Sequence, residues 1–588
     1  MNRFAIVCVC VAFTVAQGIS SLFAAQPVDR PNVVLVITDD QGYGDIAAHG
    51  NTMIKTPHLD ELFKQSVRLT DYHVDPTCSP TRSALMSGRY STRTGVWHTI
   101  MGRSMMSADE WTIAELLKSA GYATGCFGKW HLGDNYPCRP QDQGFDEVLI
   151  HGGGGVGQTP DYFGNDYFDD TYFRNGQPEK HEGYCTDVWF RESLRFIEKN
   201  KDGPFFVYLT TNAPHGPFLV AEKYSKPYRD QGVPATMAAF YGMITNIDEN
   251  MGRLTEKLAE WGLAENTILI FTTDNGTAAG VARARKGKRG AEPAEEAWLG
   301  FNAGMRGQKG SEYDGGHRVP LYVRWPKGGI GGGRDVDHIA AHIDVLPTLA
   351  ELCGATVPAG VELDGKSLAP LLKGDAGDWP ERTLLVHSQR IEYPQKWRKS
   401  AVMTDQWRLI NGKELYDIVA DPGQQKNVAK DHADIVAELT KQYEAWWQSL
   451  SVVFDDYVDV AIGSDAENPA RLTCHDWHTS QVPWNQGHIR SGPHVSGFWA
   501  VSIVEDGKYE FTLRRWPEEQ PGPLDATLAR LQIGDQNVTE KTDVDAECVT
   551  FQLDLPKGRT RLQTWLTNES GETPKTRGAY FVYVRRLP

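Results

Sequence analysis

The chain runs to 588 residues, 40% of them apolar, enough to bury more than one core, and its length predicts one to four domains. A formal net charge of −16 argues against a broad nucleic-acid surface and leaves room only for a local basic patch. The nine cysteines form no CxxC pair and no zinc-ligand spacing.

Residues 1–25 set Arg3 ahead of a short apolar run and then small residues, the layout of a signal peptide, with cleavage expected near Gly18 or around Ala24 and Ala25. The run is too short and interrupted to span a bilayer, and nothing later approaches a span. A secreted or periplasmic location without stable membrane insertion is expected. Cys8 and Cys10 would leave with the leader. The odd number of cysteines that remains requires at least one thiol that is unpaired or chemically altered.

From residue 31 the pattern is α/β. "NVVLVIT", residues 32–38, is a continuous β-branched run of the kind found in a strand covered on both faces, and it ends in Asp39-Asp40. "TPHLDELFKQSVRL" offers Thr56 as N-cap, Pro57 as first helical residue and an apolar stripe of Leu59, Leu62, Phe63 and Val67. Two further runs behave like the first: "PFFVYLTTNAPHGPF" leads into Asn212 and His215, and "TILIFTTDNG" into Asp274 and Asn275. Between them Phe240, Ile244, Ile247, Met251, Leu254, Leu258 and Trp261 recur at alternating steps of four and three, which predicts a helix. Apolar strands separated by helices predict a mixed, mostly parallel sheet flanked by helices over residues 28–370. Ligands of such sheets bind beyond the carboxyl ends of the strands, so the three polar clusters should converge.

Near residue 370 the texture changes. Short strand-like pieces and a helix carrying Ile435, Leu439, Tyr443 and Trp446 predict a small antiparallel subdomain over 371–454. Beyond 455, period-two alternation on both sides of Asp506-Gly507 predicts a hairpin, and residues 455–588 read as a separate β-sandwich.

Asp39, Asp40, Asp274 and Asn275 supply hard oxygen donors at two predicted strand ends. That donor set suits calcium, with magnesium second, and the lack of thiolate or imidazole among them argues against zinc. Arg82, Lys129, His131, His215 and Lys309 are cationic or protonatable residues able to grip an oxyanion, and glycines beside most of them allow close backbone approach. Each alone would read as a loop or core residue; the order of the blocks around them decides otherwise.

Cys78-Ser79-Pro80-Thr81-Arg82 matches C-x-P-x-R, extended by Leu85, Ser87-Gly88-Arg89 and Thr94-Gly95. With TDDQGYGD at 38–45, GKWHLG at 128–133, PHGP at 214–217, TTDNG at 272–276 and KGSEYDGGHRVP at 309–320, residues 31–450 resemble the type I sulfatases of the alkaline phosphatase superfamily. The resemblance implies that superfamily's fold and hydrolysis of a sulfuric ester by S–O cleavage. It also implies that a separate formylglycine-generating enzyme oxidises Cys78 to formylglycine (3-oxoalanine), reading Pro80 and Arg82. One hydroxyl of the hydrated aldehyde would attack sulfur, and Arg82 would hold the hydrate. Ca²⁺ would sit among Asp39, Asp40, Asp274, Asn275 and residue 78. Lys129 and Lys309 would stabilise the transferring group, and His215, with Lys309, would protonate the departing alcohol. His131 would deprotonate the second hydroxyl, which expels sulfate and restores the aldehyde; a serine, lacking a geminal hydroxyl, has no such exit.

The substrate is less legible. Lys129, His215, Lys309 and His98 are the expected substrate contacts, with Trp97-His98 placed to line the cleft. The glycine-rich, aromatic stretch 151–170 is long enough to wall that cleft, its rings either stacking on a sugar or packing. Arg283, Arg285, Lys286, Lys288 and Arg289 would steer a polyanion or simply be solvated. Trp477, Trp484 and Trp499 are candidates for glycan contact in the sandwich, against a plain packing role for that module. A sulfated small molecule or carbohydrate is the expected substrate. Phosphonate monoester or phosphodiester hydrolysis on the same scaffold is the alternative. A non-catalytic glycan-binding protein is a third reading, disfavoured because the reactive residues are all present.

Overall fold

The structure, a computed structural model, describes residues 30–280, 300–375, 377 and 379–588. The expected leader and the basic stretch Arg283–Arg289 lie outside the described residues. The run "NVVLVIT" forms strand β1 (Asn32–Thr38), buried at every position. Ala123–Lys129 forms β2, and the two later apolar runs form β3 (Phe205–Thr210) and β4 (Thr267–Thr273). β1 lies between β3 and β4, parallel to both, and β2 continues the parallel stretch beyond β3. These strands form the middle of a ten-stranded mixed sheet, with antiparallel pairing at Leu321–Arg324 beside β4 and at Thr171–Arg174 with Gln177–Lys180 at the far edge.

Alternate residues of β1 serve two cores, as the two-faced burial of a parallel strand demands. Val33, Leu35 and Ile37 pack with Leu85, Met86, Ile113 and Leu346 on one side; Val34 and Val36 pack with Met243, Ile247, Met251 and Leu254 on the other. Each such fully buried aliphatic side chain contributes about 1.5–3 kcal/mol. The second set belongs to the long helix Ala235–Glu260, where the four-three spacing led. The helix expected after Thr56 spans Pro57–Gln65 and stops earlier than its stripe suggested: Ser66 turns extended, so Val67 starts a separate strand, Val67–Leu69. Thr56 holds the N-cap position without capping; its hydroxyl donates to Asp60 Oδ1 and accepts from Ala47 N.

In the C-terminal region four antiparallel strands, Leu384–His387, Ser400–Met403, Trp407–Ile410 and Glu414–Asp417, are covered by helix Ala433–Leu450 through Leu439, Tyr443 and Trp446. Beyond residue 455 two further sheets face each other. The expected hairpin around Asp506-Gly507 is not formed. Phe498–Ile503 pairs with Gly558–Asn568 in one sheet, whereas Gly507–Arg514 pairs with Cys548–Leu555 and Phe581–Arg586 in the other. Trp499, Val501 and Ile503 thereby meet Tyr509, Phe511 and Leu513 across a shared core instead of lying side by side on one face. Alternation fixes which side of a strand is apolar; it does not say whether the next strand pairs with it or crosses to the opposite sheet. Trp477 and Trp499 are spent on this core at 0% and 1% exposure, which removes them as glycan contacts; Trp484 stays 38% exposed. Residues 31–588 form one unit, and no helix among the described residues is long and apolar enough to cross a membrane.

Candidate active site

The parallel register sets Thr38 of β1 against Thr273 of β4, so the residues that follow, Asp39 and Asp274, emerge side by side. Asp40 takes a left-handed backbone conformation (φ +71°), and its carboxylate meets Asn275, Lys309 and His215. Its backbone N–H donates to Asp274 Oδ1 at 3.0 Å, and Asn275 Nδ2 donates to Asp40 Oδ1 at 2.9 Å. β2 delivers Lys129, whose Nζ lies 2.6 Å from Asp39 Oδ2. Gly128 makes this possible: at φ +113° it runs so close to β3 that a Cβ would lie 1.8 Å from Thr210 O. The loop after β4 brings Lys309 Nζ to 2.5 Å from Asp40 Oδ1, and the loop after β3 brings His215 Nε2 to 3.7 Å from Asp40 Oδ2.

Cys78 is the first residue of helix α1 (Cys78–Ser87) and is buried. Its sulfur and one carboxylate oxygen each from Asp39 and Asp274 lie within 4.8 Å of one another. One turn further, Arg82 donates to Asp274 Oδ2 from Nη2 at 2.8 Å and Nε at 3.1 Å, to Lys129 O at 3.0 Å, and to the Thr210 hydroxyl. The variable positions of the motif also anchor it: the Ser79 hydroxyl donates to His131 O at 2.7 Å and that of Thr81 to Asp75 O at 2.9 Å.

The electrostatics are those of a cation site. Three carboxylates (Asp39, Asp40, Asp274) face three cations (Arg82, Lys129, Lys309), all but Lys309 fully enclosed. Burial and the neighbouring Asp274 push Asp39 well above the usual carboxylate range. Burial acts the same way on Asp40, but Lys309 and His215 outweigh it and hold that carboxyl low. Asp39 Oδ1 and Asn275 Oδ1 are buried acceptors with no hydrogen-bond partner. Two orphaned oxygens beside crowded carboxylates, with no imidazole in the set, fit a hard divalent ion. Such an ion would leave the site net positive, ready for an anionic ester.

Both histidines are oriented. Nε2–H of His131 donates to Thr99 O at 2.9 Å, leaving Nδ1 buried without a partner, and burial with Lys129 keeps the ring neutral. Nδ1–H of His215 donates to Gly216 O at 2.6 Å, which frees Nε2; burial and Lys309 push this ring down to about 4. Thus Asp39, Asp40, Cys78, Arg82, Lys129, His215, Asp274, Asn275 and Lys309 come together, and His131 is joined to the head of α1 by the Ser79 hydroxyl on its carbonyl. His98 stands apart from the carboxylates: buried, it accepts from the N–H groups of Thr99 and Ile100, and burial and Arg390 push it down to about 3. Trp97 is 1% exposed and stacked under Arg103, so it does not line a cleft. Sequence reasoning missed Thr210, Ser79 and His475. His475 comes from the C-terminal sheets, its ring 6.4 Å from His131 and its Nδ1 2.9 Å from Asp476 Oδ1. Nothing in its local sequence marked it. The glycine-rich stretch 151–170 does form a wall: a Cβ on Gly154 would lie 2.3 Å from the His131 ring.

Residues 31–355 match the family model described as Sulfatase, and residues 308–449 match that for N-sulphoglucosamine sulphohydrolase, C-terminal. Human arylsulfatase A is 32% identical over 438 residues, covering 68% of this chain and 79% of that protein. Steryl-sulfatase from Rattus norvegicus is 29% identical over 445 residues, covering 62% and 74%. Among solved structures, that of Ps i-CgsB in complex with k-i-k-neocarrahexaose superposes with a TM-score of 0.62 at 28% identity, over 71% of this chain and 92% of that one.

Proposed function

The chain belongs to the sulfatase family and is a sulfuric ester hydrolase, and from that premise we propose that it is an exported, calcium-dependent enzyme whose nucleophile is formylglycine made from Cys78. The observation that carries this reading is the convergence of Cys78, at the head of α1, with three buried carboxylates and three cations. Asp39, Asp40, Asp274, Asn275 and residue 78 would hold the ion, which would supply Lewis-acid stabilisation of negative charge on a sulfate oxygen. The modified residue would supply a hydrated aldehyde, one oxygen to attack sulfur and a second to let sulfate leave. A formylglycine-generating enzyme is the partner required for maturation.

The chain's own groups divide the remaining work. Lys129 and Lys309 bind the sulfate oxygens and balance charge as it builds on them. Arg82 fixes Asp274 and the head of α1, so that residue 78 and the carboxylates keep one geometry. His215 faces the departing oxygen with Nε2. In the free site burial and Lys309 keep its ring neutral, and the incoming ester anion offsets the lysine and favours the protonated, donating form. His131, neutral with Nδ1 vacant, would accept a proton from residue 78. His98, buried and bonded to the N–H groups of Thr99 and Ile100, takes no step in this reading.

The substrate we infer is a sulfated carbohydrate, supported by the neocarrahexaose complex of the Ps i-CgsB structure and by the wall of residues 151–170. Phosphonate monoester or phosphodiester hydrolysis is the competing reading. Initial rates of the matured protein on aryl sulfate, phenylphosphonate ester and bis-aryl phosphodiester separate them: sulfate should lead, and a faster phosphonate or diester rate would reverse the assignment.

A further inference from the structure

His215 opens on its outer side into a cavity of about 550 Å³. One wall is the glycine-rich stretch, including Gly155, Gly157 and Tyr167; the other is the segment Trp484–Arg490, which comes from the C-terminal sheet region. The two walls are fastened together. Thr159 donates from its backbone N–H to Trp484 O at 3.1 Å and from its hydroxyl to Pro483 O at 2.5 Å. Gln486 N–H donates to Gly157 O at 3.1 Å, and Gly164 N–H donates to Gln486 Oε1 at 2.9 Å. On the catalytic side Gly155 lies against His215, and the Tyr167 hydroxyl donates to His215 O at 3.2 Å. The C-terminal region thus completes the space next to the proton donor.

Two side chains of this added wall line the cavity and stay exposed. Trp484 is 38% exposed, although Trp477 and Trp499 of the same region are buried in its core. Arg490 is exposed, its guanidinium 4.8 Å over the Phe163 ring, with no carboxylate in ion-pairing range among the described residues. An exposed indole suits the apolar face of a sugar ring, and an unpaired guanidinium suits a sulfate or carboxylate. A sterol or simple aryl alcohol would leave Arg490 without a partner.

We propose that this cavity holds the sugar chain that departs as the alcohol, and that Trp484 and Arg490 select an oligosaccharide carrying a second acidic group over a small aryl sulfate. The proposal rests on the sulfatase reading and on His215 facing the leaving group.

The test uses full-length matured protein with 4-nitrophenyl sulfate and with tetrasaccharides of ι-carrageenan, chondroitin 6-sulfate, heparin and fucan sulfate, read by sulfate release. At least one tetrasaccharide should exceed the aryl sulfate in kcat/KM. For that substrate Trp484→Ala and Arg490→Gln should each lower kcat/KM by about 10- to 100-fold, mainly through KM, with Arg490→Glu losing more. Aryl sulfate turnover and Tm should stay within about twofold and about two degrees, because both residues are exposed and touch no reacting atom. The proposal falls if wild type prefers the aryl sulfate over all four glycans, if the variants leave the best glycan unchanged, or if they depress aryl sulfate equally. A wild-type protein with residue 78 converted but no activity on any sulfate ester would instead overturn the sulfatase reading itself.

Discussion

Replacing Gly154 with alanine should abolish most catalysis while leaving the protein folded. A Cβ there lies 2.3 Å from both Cε1 and Nε2 of His131, against an ordinary heavy-atom contact of about 3.5 Å. The imidazole must therefore yield by about 1 Å, and it has little freedom to do so, being buried and held by its 2.9 Å bond to Thr99 O. Overpacking of this kind costs about 1–3 kcal/mol of stability, and a reacting group displaced by about 1 Å costs about 100-fold in rate. With aryl sulfate as substrate, kcat should fall about 100-fold while KM stays within about threefold, since Lys129, His215 and Lys309 are untouched. Gly155→Ala is the control. Its Cβ would meet Gln158 Nε2 at 3.3 Å and His215 Nδ1 at 3.7 Å, so activity should stay within about threefold. A fully active Gly154→Ala protein, or one matched in its loss by Gly155→Ala, would refute the assignment of His131 as a positioned base.

Arg82→Met strands the Asp274 carboxylate in a fully enclosed site and should cost about 3–5 kcal/mol in urea unfolding; a loss under about 1 kcal/mol would contradict the ion-pair account. Chelation by EGTA should lower Tm and remove activity, both restored by added Ca²⁺, with about 2.7 kcal/mol of stabilisation at a free ion concentration 100 times Kd. An unchanged Tm and rate after chelation would reject the donor set of Asp39, Asp40, Asp274 and Asn275. Burial pushes His387 down to about 4, against about 6.5 when unfolded. A depressed base supports the fold above about pH 6.5 and loses that support as pH falls towards 4, on the order of 3 kcal/mol. His387→Gln should flatten this part of the stability–pH profile, and an unchanged slope would show that the ring is not held neutral.

Much of the site was legible because its residues follow directly on apolar strands: in β1, β3 and β4 the strand end alone predicts which polar groups share a side of the sheet. Asp40 depends on the backbone turning past the strand end, which is expected there, but the left-handed form of the turn (φ +71°) is not written in the pair of aspartates. Contacts between distant segments were not legible. Thr210 reads as an ordinary strand threonine, and His475 arrives from a sheet more than 300 residues away from His131 in sequence. The sandwich strands illustrate the same limit: the apolar face of 498–503 and of 507–514 was correctly placed, but whether they pair or cross depends on partners near 550 and 580. Tryptophans mislead for a related reason, because exposure depends on the packing partner: Trp477, Trp499 and Trp97 are filled in, Trp484 is not.

The most direct measurement is the mass of the proteolytic peptide containing residue 78, from catalytically active protein made in a host with a formylglycine-generating enzyme. Conversion of thiol to aldehyde should lower it by about 18 Da, and the fraction converted should track specific activity across preparations. Active enzyme whose peptide carries only the unmodified Cys78 thiol would contradict the account.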